Sequence, residues 1–263
     1  MRGYIADMDR EVMGSQITKI RLLIIGNEII SGRRQDKHWG HCQSYFSAWG
    51  VTLTSVHYCR DDLEELAALL TWLRATKDVC FCFGGLGATP DDQTRAAAAK
   101  AFNLSLVQQP EAAALILRQF GEQAVAVRLQ MADLPEGAAL IPNECNNIPG
   151  FSLANLHFLP GFPQMAWPML DWVINNCYTF DRQEQARYRS LMIYDVAESE
   201  LVEILSTTQK QLPEITISSL PKFPEQGRLM IEVGAEGSAA AVEEALARLR
   251  VQLDGCAFRY KER

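Results

Sequence analysis

The sequence predicts an α/β protein with a mostly parallel sheet, followed by a smaller α+β domain. Short apolar runs alternate with helix-period segments from Lys19 to Phe102, the order that parallel strands with right-handed crossovers produce. At its centre a buried-strand run, Val79-Cys80-Phe81-Cys82-Phe83, meets three glycines in four positions, Gly84, Gly85 and Gly87, and then an Ala-rich helix. Beyond a polar stretch at residues 179–187 the pattern shortens to strand, helix, strand, strand, helix.

Residues 1–18 read as a loose arm or a short extra helix with no assigned role. Residues 19–25 form the first strand, and Gly26-Asn27-Glu28 is its exit loop. A helix over 36–49 is ended by Gly50 at a C′ position. A second strand spans 51–58, and Asp61-Asp62 opens the helix 63–76, whose leucines and alanines recur at helical spacing. After the third strand, Thr89 as N-cap, Pro90 at the first helical position and Asp92 two residues later start a helix over 90–102. Cys80 and Cys82 share one strand face and read as buried thiols.

Helices follow over 110–120 and near 122–133. A strand at 138–142 precedes a hairpin of 151–153 and 156–159 turning over Ala154-Asn155. Leu159-Pro160-Gly161-Phe162-Pro163 leads into a helix over 163–178, where Trp167 and Trp172 read as core residues. The division is therefore an arm at 1–18, a large domain at 19–180 and a small domain at 181–263. The small domain carries strands at 188–195, 214–220 and 228–233 and helices at 198–208 and 238–253. Its expected role is dimerisation or covering the cleft.

A net charge of -7, with 22% charged and 48% hydrophobic residues, fits a globular protein without general attraction to nucleic acid or an anionic membrane. Seven cysteines without a Cys-x-x-Cys pair argue against a disulfide framework or a zinc site. No run approaches 18 apolar residues, and the first eighteen lack the apolar core of a signal peptide, so the expected location is the cytoplasm.

In parallel sheets, ligands bind outside the carboxyl ends of the strands. Three strand exits bring Asn27-Glu28, Asp61-Asp62 and the 84–94 loop to one edge. Glycine N–H groups beside a helix N-terminus suit phosphate. Asp91 and Asp92 in the same turn would repel it unless a cation mediates, which points to phosphate plus metal. His38 and His41, at i and i+3, read as an exposed helical pair without a third metal ligand. No serine or cysteine nucleophile with a neighbouring base can be read.

The stretch Gly84–Arg95 resembles the Gly-Gly-x-Gly and Asp-x-Thr signature of MoaB/Mog molybdopterin-binding domains. In its Leu-Gly-x-Thr-Pro-Asp-Asp form it is similar to the amino-terminal part of the CinA (competence/damage-inducible protein A) family. Gly26–Gly32, Leu134–Ala138, Ile148–Phe151 and Leu159–Pro163 match in the family's order over about residues 20–178. The amidohydrolase domain of longer members has no counterpart in the sequence. The resemblance implies a three-layer MoaB/Mog-like domain and a KH-like small domain, the latter without the Gly-x-x-Gly clamp of nucleic-acid binding. It implies Asp92, Asp61, Asp91 and Glu28 as catalytic candidates, with Asp92 and Asp91 also toward a metal. Gly84, Gly85, Gly87, Thr89, Thr94, Asn27, Ser31 and Gly161 become phosphate- or substrate-binding candidates. Asn27 departs from the family's Gly-Asp-Glu loop.

The implied reaction is metal-dependent hydrolysis of a nucleotide diphosphate of the ADP-ribose or FAD type. The alternative is a non-catalytic molybdopterin- or nucleotide-binding protein linked to molybdenum cofactor metabolism. The expected cofactor is a divalent metal (magnesium, manganese or cobalt), with potassium as an additional candidate and no bound organic cofactor. The expected partners are a nucleotide diphosphate or pterin phosphate and further copies of the chain, as a dimer or trimer, without nucleic acid or membrane.

Overall fold

A computed structural model of the chain describes residues 15–16, 19–49, 51–121, 125–179, 187–222 and 229–262. It divides into two compact units, Met1–Asp181 and Arg182–Arg263. In chain order the first contains β1 (Ser15–Gln16), β2 (Lys19–Ile25), α1 (Asn27–Ile30), α2 (His38–Ser47), β3 (Thr52–Cys59) and α3 (Leu63–Thr76). Next come β4 (Val79–Phe83), α4 (Thr94–Phe102), β5 (Leu106–Gln108), α5 (Pro110–Phe120), α6 (Val125–Leu129) and β6 (Asp133–Pro135). The unit closes with β7 (Ala139–Ile141), β8 (Gly150–Leu153), β9 (Leu156–Leu159), α7 (Pro163–Cys177) and β10 (Tyr178–Thr179).

The main sheet has the order β3-β2-β4-β9-β8-β7. Its first four strands are parallel neighbours, and β8 and β7 continue antiparallel. Both faces are covered, so β4 is buried at all five positions, which is why it reads as an uninterrupted apolar run. Leu23, Ile25, Cys80, Cys82 and Phe158 face a cluster with α3, α4 and α5. Leu22, Ile24, Phe81 and Phe83 face α2 and α7. Truncating a fully buried ring such as Phe81 to alanine costs about 3–5 kcal/mol. Cys80 and Cys82 are buried, with their Sγ atoms 3.9 Å apart.

Helix α3 shows its sequence logic plainly. Asp62 accepts from the Glu64 and Glu65 N–H groups at its start, Leu66, Leu70 and Leu73 are buried, and Lys77 at φ 59° closes it. Helix α4 corrects the expected start. Residues 89–92 form a turn with Asp92 N–H donating to Thr89 O, and the helix begins only at Thr94. Thr89 is therefore not its N-cap, nor does Pro90 occupy its first position; the Asp92 carboxylate engages the loop itself, which delays the helix.

His38 is not half of an exposed pair. It is buried, stacked on Phe83 at 4.3 Å between centroids, while the half-buried His41 stacks on Trp167 at 3.9 Å. Trp167 and Trp172 are half-buried against the α2–α7 core cluster. His157 lies in the sheet between Ser152 and Tyr178, and burial pushes its imidazole down to about 3. Gly50, the start of the helix expected near 122–133, residues 180–186, residue 228 of an expected strand and all of the arm except Ser15–Gln16 lie outside the described residues.

The second unit contains β11 (Arg187–Tyr194), α8 (Glu198–Gln211), β12 (Thr216–Lys222), β13 (Met230–Gly237), α9 (Ala239–Gly255) and β14 (Arg259–Glu262). All pairs in its sheet, ordered β12-β13-β11-β14, are antiparallel. Strand β14 adds a fourth strand to the expected β-α-β-β-α order. Leu191, Ile193, Val233 and Ala235 form the core with Val242, Leu246 and Leu249 of α9.

Candidate functional site

The exits of β2, β3, β4 and β9 converge on a cleft of about 450 Å³. Gly84, Gly85, Gly87, Thr89, Asp91, Asp92, Asp61, Glu28 and Gly161 all line it, so nine of the expected site residues meet there. Asn27, Ser31 and Thr94 do not line it. Asn27 contributes its backbone N–H, which donates to Asp61 Oδ2 at 2.7 Å. The Ser31 hydroxyl is exposed, donates to Glu28 O and accepts from Arg33. Thr94 is fully buried beneath the loop, its hydroxyl donating to Gly84 O at 3.0 Å.

The glycines are required by the protein's own packing. Gly84 and Gly85 have φ of 111° and 67°, where side chains are rarely accommodated. A Cβ on Gly84 would lie 2.2 Å from Ile25 O, and one on Gly85 2.1 Å from Thr94 Oγ1. The N–H of Gly84 donates to Leu159 O, and that of Gly87 to Asp92 Oδ1 at 2.7 Å. Asp92 Oδ2 accepts from the Thr89 N–H and hydroxyl. From the other side, the half-buried Arg95 donates to Leu86 O at 2.6 Å and Gly87 O at 2.8 Å. The loop is thus held by an acid binding its N–H groups and a guanidinium binding its carbonyls. The N–H groups of Gly85, Leu86 and Ala88 have no acceptor among the described residues.

Asp61 stands apart from that bracing. Burial pushes its carboxyl up, the Asn27 N–H opposes this, and the charges of Glu28, Asp91 and Asp92 push it further up. No three His, Cys, Asp or Glu side chains are placed to hold a metal ion among the described residues. With both Asp92 oxygens engaged by the loop, the protein alone does not furnish a divalent-ion cage here.

Several lining residues escaped the sequence reading. Arg34 sits with its guanidinium 5.4 Å from the Phe162 ring centre, and Met131, Ile148, Phe162 and Met165 give the cleft an apolar wall. The buried Asn143 braces the neighbouring loop, donating to Asn146 Oδ1 and Ile148 O. Ile148 and Phe162 lie inside matched motifs, so those motifs pointed to the wall. Arg34 was signalled only by being a cation in an exit loop.

The profile of a family described as "Probable molybdopterin binding domain" matches residues 21–178. A CinA-like protein of Desulfosudis oleivorans is 32% identical over 214 residues, covering 78% of this chain and 52% of that protein. A CinA-like protein of Geobacter metallireducens is 31% identical, covering 90% of this chain and 60% of that protein. The chain therefore spans a little over half the length of these curated relatives. The crystal structure of CinA from Thermoplasma acidophilum, whose function is unknown, superposes with a TM-score of 0.56 at 25% identity, covering 60% of this chain and 98% of that one. Through its larger unit, the chain belongs to the family of probable molybdopterin-binding domains, and it is similar to the CinA-like proteins.

Proposed function

We propose that the cleft hydrolyses a nucleotide diphosphate of the ADP-ribose or FAD type. The observation that carries this reading is a trio of N–H groups without an acceptor among the described residues, at Gly85, Leu86 and Ala88, which line the same cleft as Asp61. Such donors suit phosphate oxygens. The apolar wall suits a flat heterocycle attached to that phosphate. In the proposed reaction Asp61 takes a proton from water, whose oxygen bonds to the AMP phosphorus. The bridging P–O bond breaks, and its electron pair leaves with the second phosphate, giving AMP and a phosphorylated second half. A divalent cation, when bound, would neutralise phosphate charge, held by the ligand's own oxygens with Asp91, as magnesium commonly is. Asp92 holds the loop in place.

A second reading, binding of a pterin or nucleotide without turnover, is favoured by Asp92, whose two oxygens are both engaged by the loop itself. The two separate in a panel of ADP-ribose, FAD and pterin phosphate with magnesium, manganese or cobalt, read for AMP release and thermal shift. AMP release supports hydrolysis. A shift without AMP in any metal supports binding alone, and neither response removes both readings.

A further inference from the structure

Beside the larger cleft lies a second cavity of about 260 Å³, sharing Ile25, Glu28, Arg34 and Gly161 with it. Its own lining differs in kind. Lys37, Gln35 and Gln164 bring N–H donors, and His38 and Phe83 form an aromatic side. None of the Arg34, Gln35, Lys37 and Gln164 side chains makes a hydrogen bond or ion pair among the described residues. The acids here are unequal. Asp36 accepts from the His38 N–H, the Trp39 N–H and the Tyr58 hydroxyl, so its carboxylate is satisfied within the protein. Glu28 lines both cavities, whereas Lys37 and the two amides line only the smaller one.

The walls are braced where the cavities meet. His38 Nε2 lies 3.2 Å from Gly161 O, and a Cβ on Gly161 would stand 3.4 Å from Gly84 Cα. The stacked His38–Phe83 pair therefore fixes the Gly161 backbone against the glycine loop. With Nε2 donating to that carbonyl, the imidazole carries its proton there, and burial keeps its pKa low. Arg34, resting on Phe162, is the cation common to both cavities.

We propose that the smaller cavity is an anion subsite in which Arg34 and Lys37 hold a terminal phosphate of a ligand whose remainder occupies the larger cleft. Arg34 bridges the two parts, its planar fork suited to two phosphate oxygens, and Lys37 acts as a point charge at the far end. A ligand that fills both parts thus carries a terminal phosphate in addition to the diphosphate held in the larger cleft. The anion subsite stands on the smaller cavity's own residues; only the molecule attached to the phosphate rests on the nucleotide reading.

The test uses the full chain with AMP, ADP, ATP, inorganic pyrophosphate and inorganic phosphate. Affinity is measured by calorimetry, and the imidazole resonances of His38 by nitrogen-correlated NMR. His157, enclosed in the sheet, serves as the internal reference. ATP should bind about tenfold more tightly than ADP and move the His38 signals while those of His157 stay. Lys37→Met should abolish that increment, and Arg34→Met should abolish it and weaken ADP as well. Equal ADP and ATP affinity with unmoved His38 signals overturns the proposal, as does an undiminished increment in Lys37→Met. If no nucleotide binds, the nucleotide reading fails separately. Pyrophosphate moving His38 in the wild type but not in Lys37→Met then sustains the subsite, and no movement overturns it. Inorganic phosphate matching pyrophosphate would make free phosphate the occupant of the same subsite.

Discussion

The chain twice places two aspartates before a helix, at Asp61-Asp62 and at Asp91-Asp92, and the two pairs divide their work differently. In the first, Asp62 caps α3 and leaves Asp61 facing the cleft, held by the Asn27 N–H. In the second, neither acid caps α4. Asp92 gathers the Gly87 N–H, the Thr89 N–H and the Thr89 hydroxyl, while Asp91 stays exposed at the cleft's edge. The lesson concerns register: where the helix starts immediately, the second acid is used by the helix and the first is available. Where a glycine loop must be held, the second acid is used by the loop and the helix starts later.

Removing Asp92 should break this contrast most severely. Asp92→Ala leaves three loop donors without their acceptor and should cost about 3 kcal/mol in urea unfolding. Asp92→Asn keeps one acceptor oxygen and should cost about half as much. A loss under 0.5 kcal/mol (on the order of one surface substitution) in both would show that the loop holds without it.

Asp61→Asn retains an oxygen for the Asn27 N–H but removes the charge. Turnover should fall by about ten- to a thousandfold, or roughly 1.4–4 kcal/mol in barrier. Its stability should move oppositely. Because the folded carboxyl is raised, Asp61 contributes stability fully below the ordinary carboxylate range near about 4 and loses it as pH rises through the raised value. Relative to wild type, Asp61→Asn should therefore gain melting temperature at neutral pH and show little difference in acid. Melting curves across pH check the sign.

Asp62→Ala should cost about 1 kcal/mol through its cap, with ligand affinity unmoved in calorimetry. The smallest effect is expected for Asn27→Asp. Because that side chain does not line the cleft, the metal concentration for half-maximal turnover should change less than about twofold. A larger drop would place residue 27 next to the cation.

What could be read from the sequence was governed by period and by punctuation. The runs Lys19–Ile25 and Val79–Phe83 and the helices Leu63–Thr76 and Pro110–Phe120 have the expected bounds, because burial on both faces or one stripe writes itself directly into residue type. The strands Leu106–Gln108 and Asp133–Pro135 went unread, being three residues long, with the first exposed throughout. At the site, convergence followed from parallel topology, whereas the partners of each carboxylate did not. Which of two adjacent acids caps a helix depends on backbone dihedrals that both sequences permit, and Arg34 reaches the cleft by a fold of the 31–37 loop that no periodicity encodes. His38 illustrates the same limit, since the Phe83 ring and the Gly161 carbonyl, both distant in sequence, account for its burial.

The thiols offer a clock for motions of the larger unit. Cys42, Cys59, Cys80, Cys82 and Cys177 are buried and all belong to it, whereas Cys145 and Cys256 are exposed. An alkylating reagent would label two sites at once and the other five only as their surroundings open. Cys80 and Cys82 sit in the strand that delivers the glycine loop, and Cys59 ends the strand before Asp61. The order in which these masses appear would therefore time the loosening of each wall of the cleft, residue by residue, without any added probe.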